Sequence, residues 1–282
     1  MRQKRVAAIH DISGFGKCSL TVALPIISAA GIETSVIPTA VLSTHTGGFT
    51  GFTYRDLTED IMHVAEHWKG LELSFDSLYS GFLGSFEQLD IVAKIFDMFK
   101  TKDNIILVDP VMADNGKLYQ IFDQSFPSGM KELCKKADIL VPNITEACLM
   151  LDIPYKDGPY TKEYIEKLLI KLSELGPDRI VLTGVCYDEE NLGAATYEKS
   201  TGKAGFAFSK KIDGYYHGTG DVFGSALLSA LLNNFSLIDA AKIAVDFVTE
   251  SIQRTKDAKT DIRFGVNFEK SIPSLLKNLG KL

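Results

Sequence analysis

The chain predicts an α/β fold in which a mostly parallel sheet is covered by helices on both faces, and three observations predict it. Short runs rich in Val, Ile and Leu alternate with longer segments of helical periodicity. The strand-like runs show little polar alternation, as expected where both faces are buried. Glycine and small polar residues follow each run, the place where open α/β sheets bind ligands.

The first strand is expected over 5–12, where Val6, Ala7, Ala8 and Ile9 run without interruption. Residues 19–30 then carry Leu20, Ala23, Leu24 and Ile27 at three- and four-residue spacings, an amphipathic helix. Strands at 34–42, 77–82, 104–108, 138–141 and 179–183 alternate with helices at 57–68, 86–99, 128–136, 145–151 and 162–175. From 192 to 212 the rhythm changes. A polar turn, Ser200-Thr201-Gly202-Lys203, separates Gly193–Glu198 from Gly205–Phe208, which reads as an antiparallel hairpin at the sheet edge. Helices at 221–233, 237–254 and 268–279 close the chain, and no repeat, linker or composition break divides it, so a single domain over 1–282 is expected.

A hydrophobic content of 45% is ample for a large core, and a net charge of −6 with no basic stripe points away from nucleic acid and membrane surfaces as partners. No apolar run approaches the roughly twenty residues that span a bilayer. The basic start Met1-Arg2-Gln3-Lys4-Arg5 leads into an apolar run broken by His10 and Asp11, unlike a signal peptide, so a cytoplasmic location is expected. Cys18, Cys134, Cys148 and Cys186 are scattered with no C-x-x-C pair, and neither a zinc knuckle nor a disulfide framework is indicated.

Chemistry concentrates at the strand ends. Gly218-Thr219-Gly220-Asp221 runs into a helix whose Val222, Phe223, Ala226, Leu227 and Ala230 form a buried face. Free main-chain N–H groups and the positive end of the helix dipole make such a turn an anion cradle. Asp221 is then either a helix cap or a base, and phosphoryl transfer to a hydroxyl needs both cradle and base. The loop Asp11-Ile12-Ser13-Gly14-Phe15-Gly16-Lys17 fails the Walker spacing, because Cys18 follows Lys17 and Asp11 takes the leading glycine position. It leaves an Asp and a Ser suited to a small polar ligand. Ser43-Thr44-His45-Thr46-Gly47-Gly48 is a dense hydrogen-bonding cluster, and Ser80-Gly81-Phe82-Leu83-Gly84-Ser85 places an aromatic side chain where it walls a flat ligand or packs a helix. Asp109 and Asp114, with Asn143 and Glu146, are acidic strand ends whose convergence implies magnesium, and Thr183-Gly184 offers a hydroxyl and an N–H to a nucleotide. His63-Val64-Ala65-Glu66-His67 matches a zinc-protease string but reads better as surface histidines on a helix.

Taken in order, these stations resemble the ribokinase-like superfamily and, within it, the pyridoxal kinases. The carrying residues are 42–47, 80–85, 109–112, 142–146 and 218–221, spread over nearly the whole chain. The resemblance implies a three-layer α/β/α fold, usually homodimeric, that phosphorylates the 5′-hydroxymethyl group of pyridoxal, pyridoxine or pyridoxamine with ATP and Mg2+, often with a monovalent cation such as K+. It makes Asp221 the base and Gly218, Thr219 and Gly220 the anion hole. Asp109 and Glu146 match positions that organise magnesium and phosphates, directly or through water, with Asp114 and Asn143 in the same region and Thr183 at the nucleotide. His45, Thr46 and Gly47 match the vitamin-side loop, and Phe82 an aromatic wall. One departure is Asp11, where many pyridoxal kinases have Ser; Asp11-Ile12-Ser13-Gly14 instead resembles the start of the hydroxymethylpyrimidine kinases. A carboxylate there would pair with a protonated ring nitrogen or a cationic amine, which would favour pyridoxamine. The alternatives are a hydroxymethylpyrimidine or sugar kinase of the same superfamily and, from another class, a non-catalytic nucleotide- or vitamin-binding module. The hairpin at 192–212 and the segment 209–217 are candidate nucleotide-side flaps.

Overall fold

A computed structural model describes residues 2–282; Met1, the first residue of the basic start, lies outside them. One nine-stranded sheet organises the chain. The strands are β1 (Arg5–Ser13), β2 (Glu33–Leu42), β3 (Tyr54–Asp56), β4 (Ser77–Ser80), β5 (Ile105–Val108), then a separate two-stranded ribbon β6 (Ala113–Asp114) and β7 (Lys117–Leu118), followed by β8 (Ile139–Leu140), β9 (Arg179–Val185), β10 (Asn191–Glu198) and β11 (Lys203–Lys210). The sheet order is β11-β10-β9-β8-β5-β4-β1-β2-β3. Pairing from β2 through β1, β4, β5 and β8 to β9 is parallel. The expected edge hairpin is β10–β11, antiparallel and joined antiparallel to β9.

The helices are α1 (Leu20–Ala29), α2 (Thr58–Gly70), α3 (Phe86–Phe99), α4 (Phe126–Cys134), α5 (Ile144–Met150), α6 (Lys162–Ser173), α7 (Thr219–Leu232), α8 (Leu237–Asp257) and α9 (Ile272–Asn278). They form two layers. Ile61 of α2, Val92 and Phe96 of α3, Met130 of α4, Ala147 of α5 and Leu168 of α6 share one core, while Val22 and Ile26 of α1, Leu227 of α7, Ala244 and Phe247 of α8 and Leu275 of α9 share the other. The strands feed both by alternation: Ile106 and Val108 enter the first core and Leu107 the second, and likewise Ile180 and Leu182 against Val181. This is the three-layer α/β/α fold.

Small differences from the sequence reading have local causes. The 128–136 helix starts two residues earlier because Pro127, with no N–H to lose, sits in its first turn. The 268–279 helix opens as a 3-10 turn at Glu269–Ser271 before α9. Strand β3, unanticipated, pairs antiparallel with β2, and all three of its residues are exposed, so no apolar run announced it. No helix among the described residues is long and apolar enough to cross a membrane.

From β1 the chain crosses to β2 on one side and returns to β4 on the other, with α1 on one face and α2 on the opposite one. The strand order thus reverses at β1 and β4, and a crevice opens beyond their carboxyl ends.

Candidate active site

The crevice is roofed by the start of α7. Gly218 is its N-cap, left-handed at φ 76°, and a Cβ there would lie 1.9 Å from the Lys17 carbonyl oxygen. Only glycine satisfies both the backbone angle and this approach. Gly220 is exposed at the tip of the turn, and the position of a Cβ on it is 4.0 Å from Asp109 Oδ2. The N–H groups of Gly218, Thr219 and Gly220 lie at the amino end of α7, where helical N–H groups lack intrahelical partners. Asp221, in the first helical turn and half-buried, has its carboxyl pushed up to about 7. Burial is the main cause; the Ser19 main-chain N–H opposes it, and the Asp11 charge adds to it.

Asp109 leaves β5 beside β4, its N–H bonded to the Ser80 carbonyl at 3.0 Å. It is almost fully buried. Desolvation, then Glu146, then Asp221 drive its carboxyl well above the usual range. Glu146 is buried too, and its shift is also upward because desolvation outweighs the bonds it accepts. Those bonds come from the N–H groups of Met112 at 3.1 Å and Asn143 at 2.8 Å. Asn143 Oδ1 accepts in turn from the Glu146 N–H at 2.9 Å, a capping box that starts α5. Asn143 also donates to the Ala113 carbonyl and forms a bridge with Thr183 of β9. Asp109 therefore feels both the Glu146 and the Asp221 carboxylates, and each adds to its upward shift. Asp114 stands on the β6–β7 ribbon, where it accepts from Asn115 and lies near the Tyr215 hydroxyl.

On the opposite side of the crevice, the buried His45 spends both ring nitrogens on the main chain. Nδ1 accepts from the Gly47 N–H at 3.0 Å and Nε2 lies 2.6 Å from the Arg263 carbonyl. A carbonyl only accepts, so Nε2 carries the proton and the ring is neutral; burial lowers its pKa in the same sense. His45 thereby shapes its loop and leaves Thr46 exposed. The position of a Cβ on Gly47 is 2.5 Å from His217, whose ring is 5.1 Å from that of His45, so the end of the 209–217 segment lies against the 43–48 loop. Phe82 is half-buried on Phe122 at 5.8 Å. Asp11, 4% exposed, accepts hydroxyl bonds from Ser13 and Ser19. His63, Glu66 and His67 are exposed on α2.

Three features escaped the sequence reading: His217, Ser19 and the buried Tyr79, whose hydroxyl lies 2.5 Å from the position of a Cβ on Gly224. Only Ser19 had a signal, as a serine directly before an apolar helical run.

The donor set fits magnesium. Asp109 and Glu146 offer hard carboxylate oxygens, and Asp109 accepts no side-chain hydrogen bond among the described residues. Among the described residues, no group of three or more His, Cys, Asp or Glu is placed to hold a metal ion.

A ribokinase-like sheet, with a glycine turn at a helix start and buried carboxylates at the switch point, defines an ATP-dependent small-molecule kinase. Within that class, the model of the phosphomethylpyrimidine kinase family matches residues 24–265, and the chain belongs to that family. A Bacteroides thetaiotaomicron protein described as a candidate phosphomethylpyrimidine kinase is 37% identical, with a TM-score of 0.93 over 98% of this chain and 94% of its own. A second crystal form of it, covering 97% of this chain and 96% of its own, is described as containing pyridoxal. Arabidopsis thaliana pyridoxal kinase is 26% identical over 88% of this chain and 80% of its own. The hydroxymethylpyrimidine/phosphomethylpyrimidine kinase of Bacillus subtilis is 25% identical over 77% of each.

Proposed function

We infer that the chain transfers the γ-phosphoryl group of ATP to the hydroxymethyl group of a planar nitrogen heterocycle. The observation that carries this reading is the Gly218–Asp221 turn, which sets a carboxylate poised near neutrality beside main-chain donors and against Asp109. Asp221 takes the hydroxyl proton; the N–H groups of Gly218, Thr219 and Gly220 stabilise the charge on the moving phosphoryl group. Asp109 and Glu146 would hold Mg2+, directly or through water, and the ion would neutralise phosphate charge. Asn143, Thr183 and Asp114 border the nucleotide side. Phe82, Thr46, Gly47, the loop shaped by His45, and Asp11 border the acceptor. A K+-type monovalent cation and a homodimer are parts of the proposal that come from resemblance.

Two acceptors carry the required group. A hydroxymethylpyrimidine has the support of the family description, of the B. subtilis relative and of Asp11-Ile12-Ser13-Gly14. A B6 vitamer has the support of the pyridoxal in the Bacteroides crystal and of the Arabidopsis relative. An ATP-consumption assay with Mg2+ on pyridoxal, pyridoxine, pyridoxamine and hydroxymethylpyrimidine ranks them by kcat/KM, and turnover of none would leave a non-catalytic binding module.

A further inference from the structure

Ser19 lies in a conformation that residues with a side chain rarely adopt. Its φ is 56° and its ψ −131°, a sparsely populated region that strains a non-glycine residue and persists only where the surroundings enforce it. The surroundings do enforce it. The Ser19 hydroxyl donates to Asp11 Oδ1 at 2.5 Å, and the Ser13 hydroxyl donates to Asp11 Oδ2 at 2.9 Å. All three side chains are buried, and Ser19 also bridges to Ile12 of β1. It precedes α1 yet makes no side-chain cap bond to it, so the ordinary reason for serine at a helix start is missing.

What the tethered segment does touch is the turn that carries Asp221. The Lys17 carbonyl fills the space of a Gly218 Cβ, with Cys18 Sγ 3.4 Å from the same point. Ser19 follows directly on these two residues, and its main-chain N–H acts on the Asp221 carboxylate, opposing the rise that burial causes. Relaxing φ to a negative value would rotate the Ser19 peptide plane relative to α1 and carry that N–H off the carboxylate.

We propose that Ser19 is a positioning residue for phosphoryl transfer: Asp11 tethers its hydroxyl, the tether holds the strained backbone, and that backbone fixes the Asp221 carboxylate and the turn around it. The proposal rests on the reading of Asp221 as the base. It makes Asp11 act on the reaction through Ser19, whatever it contributes to the acceptor.

Glycine adopts φ 56° without strain and without a tether, whereas alanine does neither, so the two replacements separate conformation from mere presence of the hydroxyl. With ATP, Mg2+ and either pyridoxal or hydroxymethylpyrimidine as probe, Ser19→Ala is expected to lower kcat tenfold or more with KM for the acceptor within threefold. Ser19→Gly is expected to lower kcat threefold or less. Asp11→Ala should lower kcat about tenfold in the parent but threefold or less in the Ser19→Gly background, because the tether is already gone. Equal kcat losses for Ser19→Ala and Ser19→Gly overturn the proposal. So does an Asp11→Ala loss that is the same in both backgrounds and lies in the acceptor KM. Thermal melts identify a misfolded variant, and if Ser19→Ala is one, the Asp11→Ala comparison decides. Asp221→Asn is measured alongside. Full turnover in that variant would remove the base reading itself, a different result from an inactive Asp221→Asn with indistinguishable Ser19 variants.

Discussion

Asp221 illustrates how opposing local effects place one group near neutrality. Burial alone would make it a poor anion, but the Ser19 N–H restrains the rise and leaves the carboxyl at about 7. A base in that range is ionised for a useful fraction of the time and still basic enough to accept a hydroxyl proton. Asp221→Asn is therefore expected to lower kcat about a hundredfold or more while ATP still binds, read by turnover beside nucleotide titration. In the parent the acidic limb of kcat/KM, which reports the free enzyme, should fall near pH 7, since protonation removes the base; an acidic limb near pH 4 would point to an exposed carboxylate instead. Asp109→Asn tests the neighbouring group. With one buried charge gone, the Mg2+ concentration needed for half-maximal rate is expected to rise several-fold, while KM for the acceptor stays close to that of the parent.

Between elements, the depth at which α7 seats on the sheet is set by a contact between small and large groups. Gly224 lies one turn beyond Asp221, and the Tyr79 hydroxyl of β4 occupies the space where a Cβ would stand, 2.5 Å away. Gly224→Ala is expected to push α7 off β4, lowering stability by about 1–3 kcal/mol and reducing kcat, as overpacking does in a tight core. Adding Tyr79→Phe removes the clashing oxygen and should restore most of both; a double variant no better than Gly224→Ala in melting and turnover would disprove the contact. Such an interlock is invisible in sequence, because Tyr79 and Gly224 look like an ordinary strand aromatic and an ordinary helix glycine. The elements themselves were legible wherever an apolar run recorded burial on one or both faces, as in Val6–Ile9 or the Val222–Ala230 face. They were illegible where a strand is exposed or only two residues long, as in β3 and in β6 and β7. The site divides the same way. Asp109, Asn143, Glu146 and the Gly218–Asp221 turn follow recognisable elements, so their places at strand ends were legible, while their proposed roles came from the family resemblance and not from spacing. The Ser19 backbone and the seating of His217 on Gly47 arise from segments far apart in sequence, which no local pattern records.

Over the whole molecule, the buried carboxylates at the switch point make stability depend on pH, and the sign can be worked out. The carboxyls of Asp221, Asp109 and Glu146 are all raised above their ordinary values of 3.8 or 4.5, so above those values the folded state holds more protons than the unfolded chain. Their contribution is complete in acid and is lost as pH climbs through the folded pKa values. His10 works in the opposite direction: burial drives its pKa from 6.5 to about 3, so the unfolded chain takes up the extra proton and stability rises with pH up to about 6.5. His45 and His217 are lowered in the same direction. Above pH 6.5 the histidines fall silent and the carboxylates act alone. The Tm of the unliganded protein should therefore fall from pH 6.5 to pH 8. Cations and phosphates at the site favour the ionised carboxylates that are destabilising without them, so Mg2+ with ATP should raise Tm more at pH 8 than at pH 6.5. A Tm that climbs over this interval, or a ligand-induced shift that shrinks toward pH 8, would mean that these acids are not held protonated by the fold, and the electrostatic case for a cation between Asp109 and Glu146 would lose its basis.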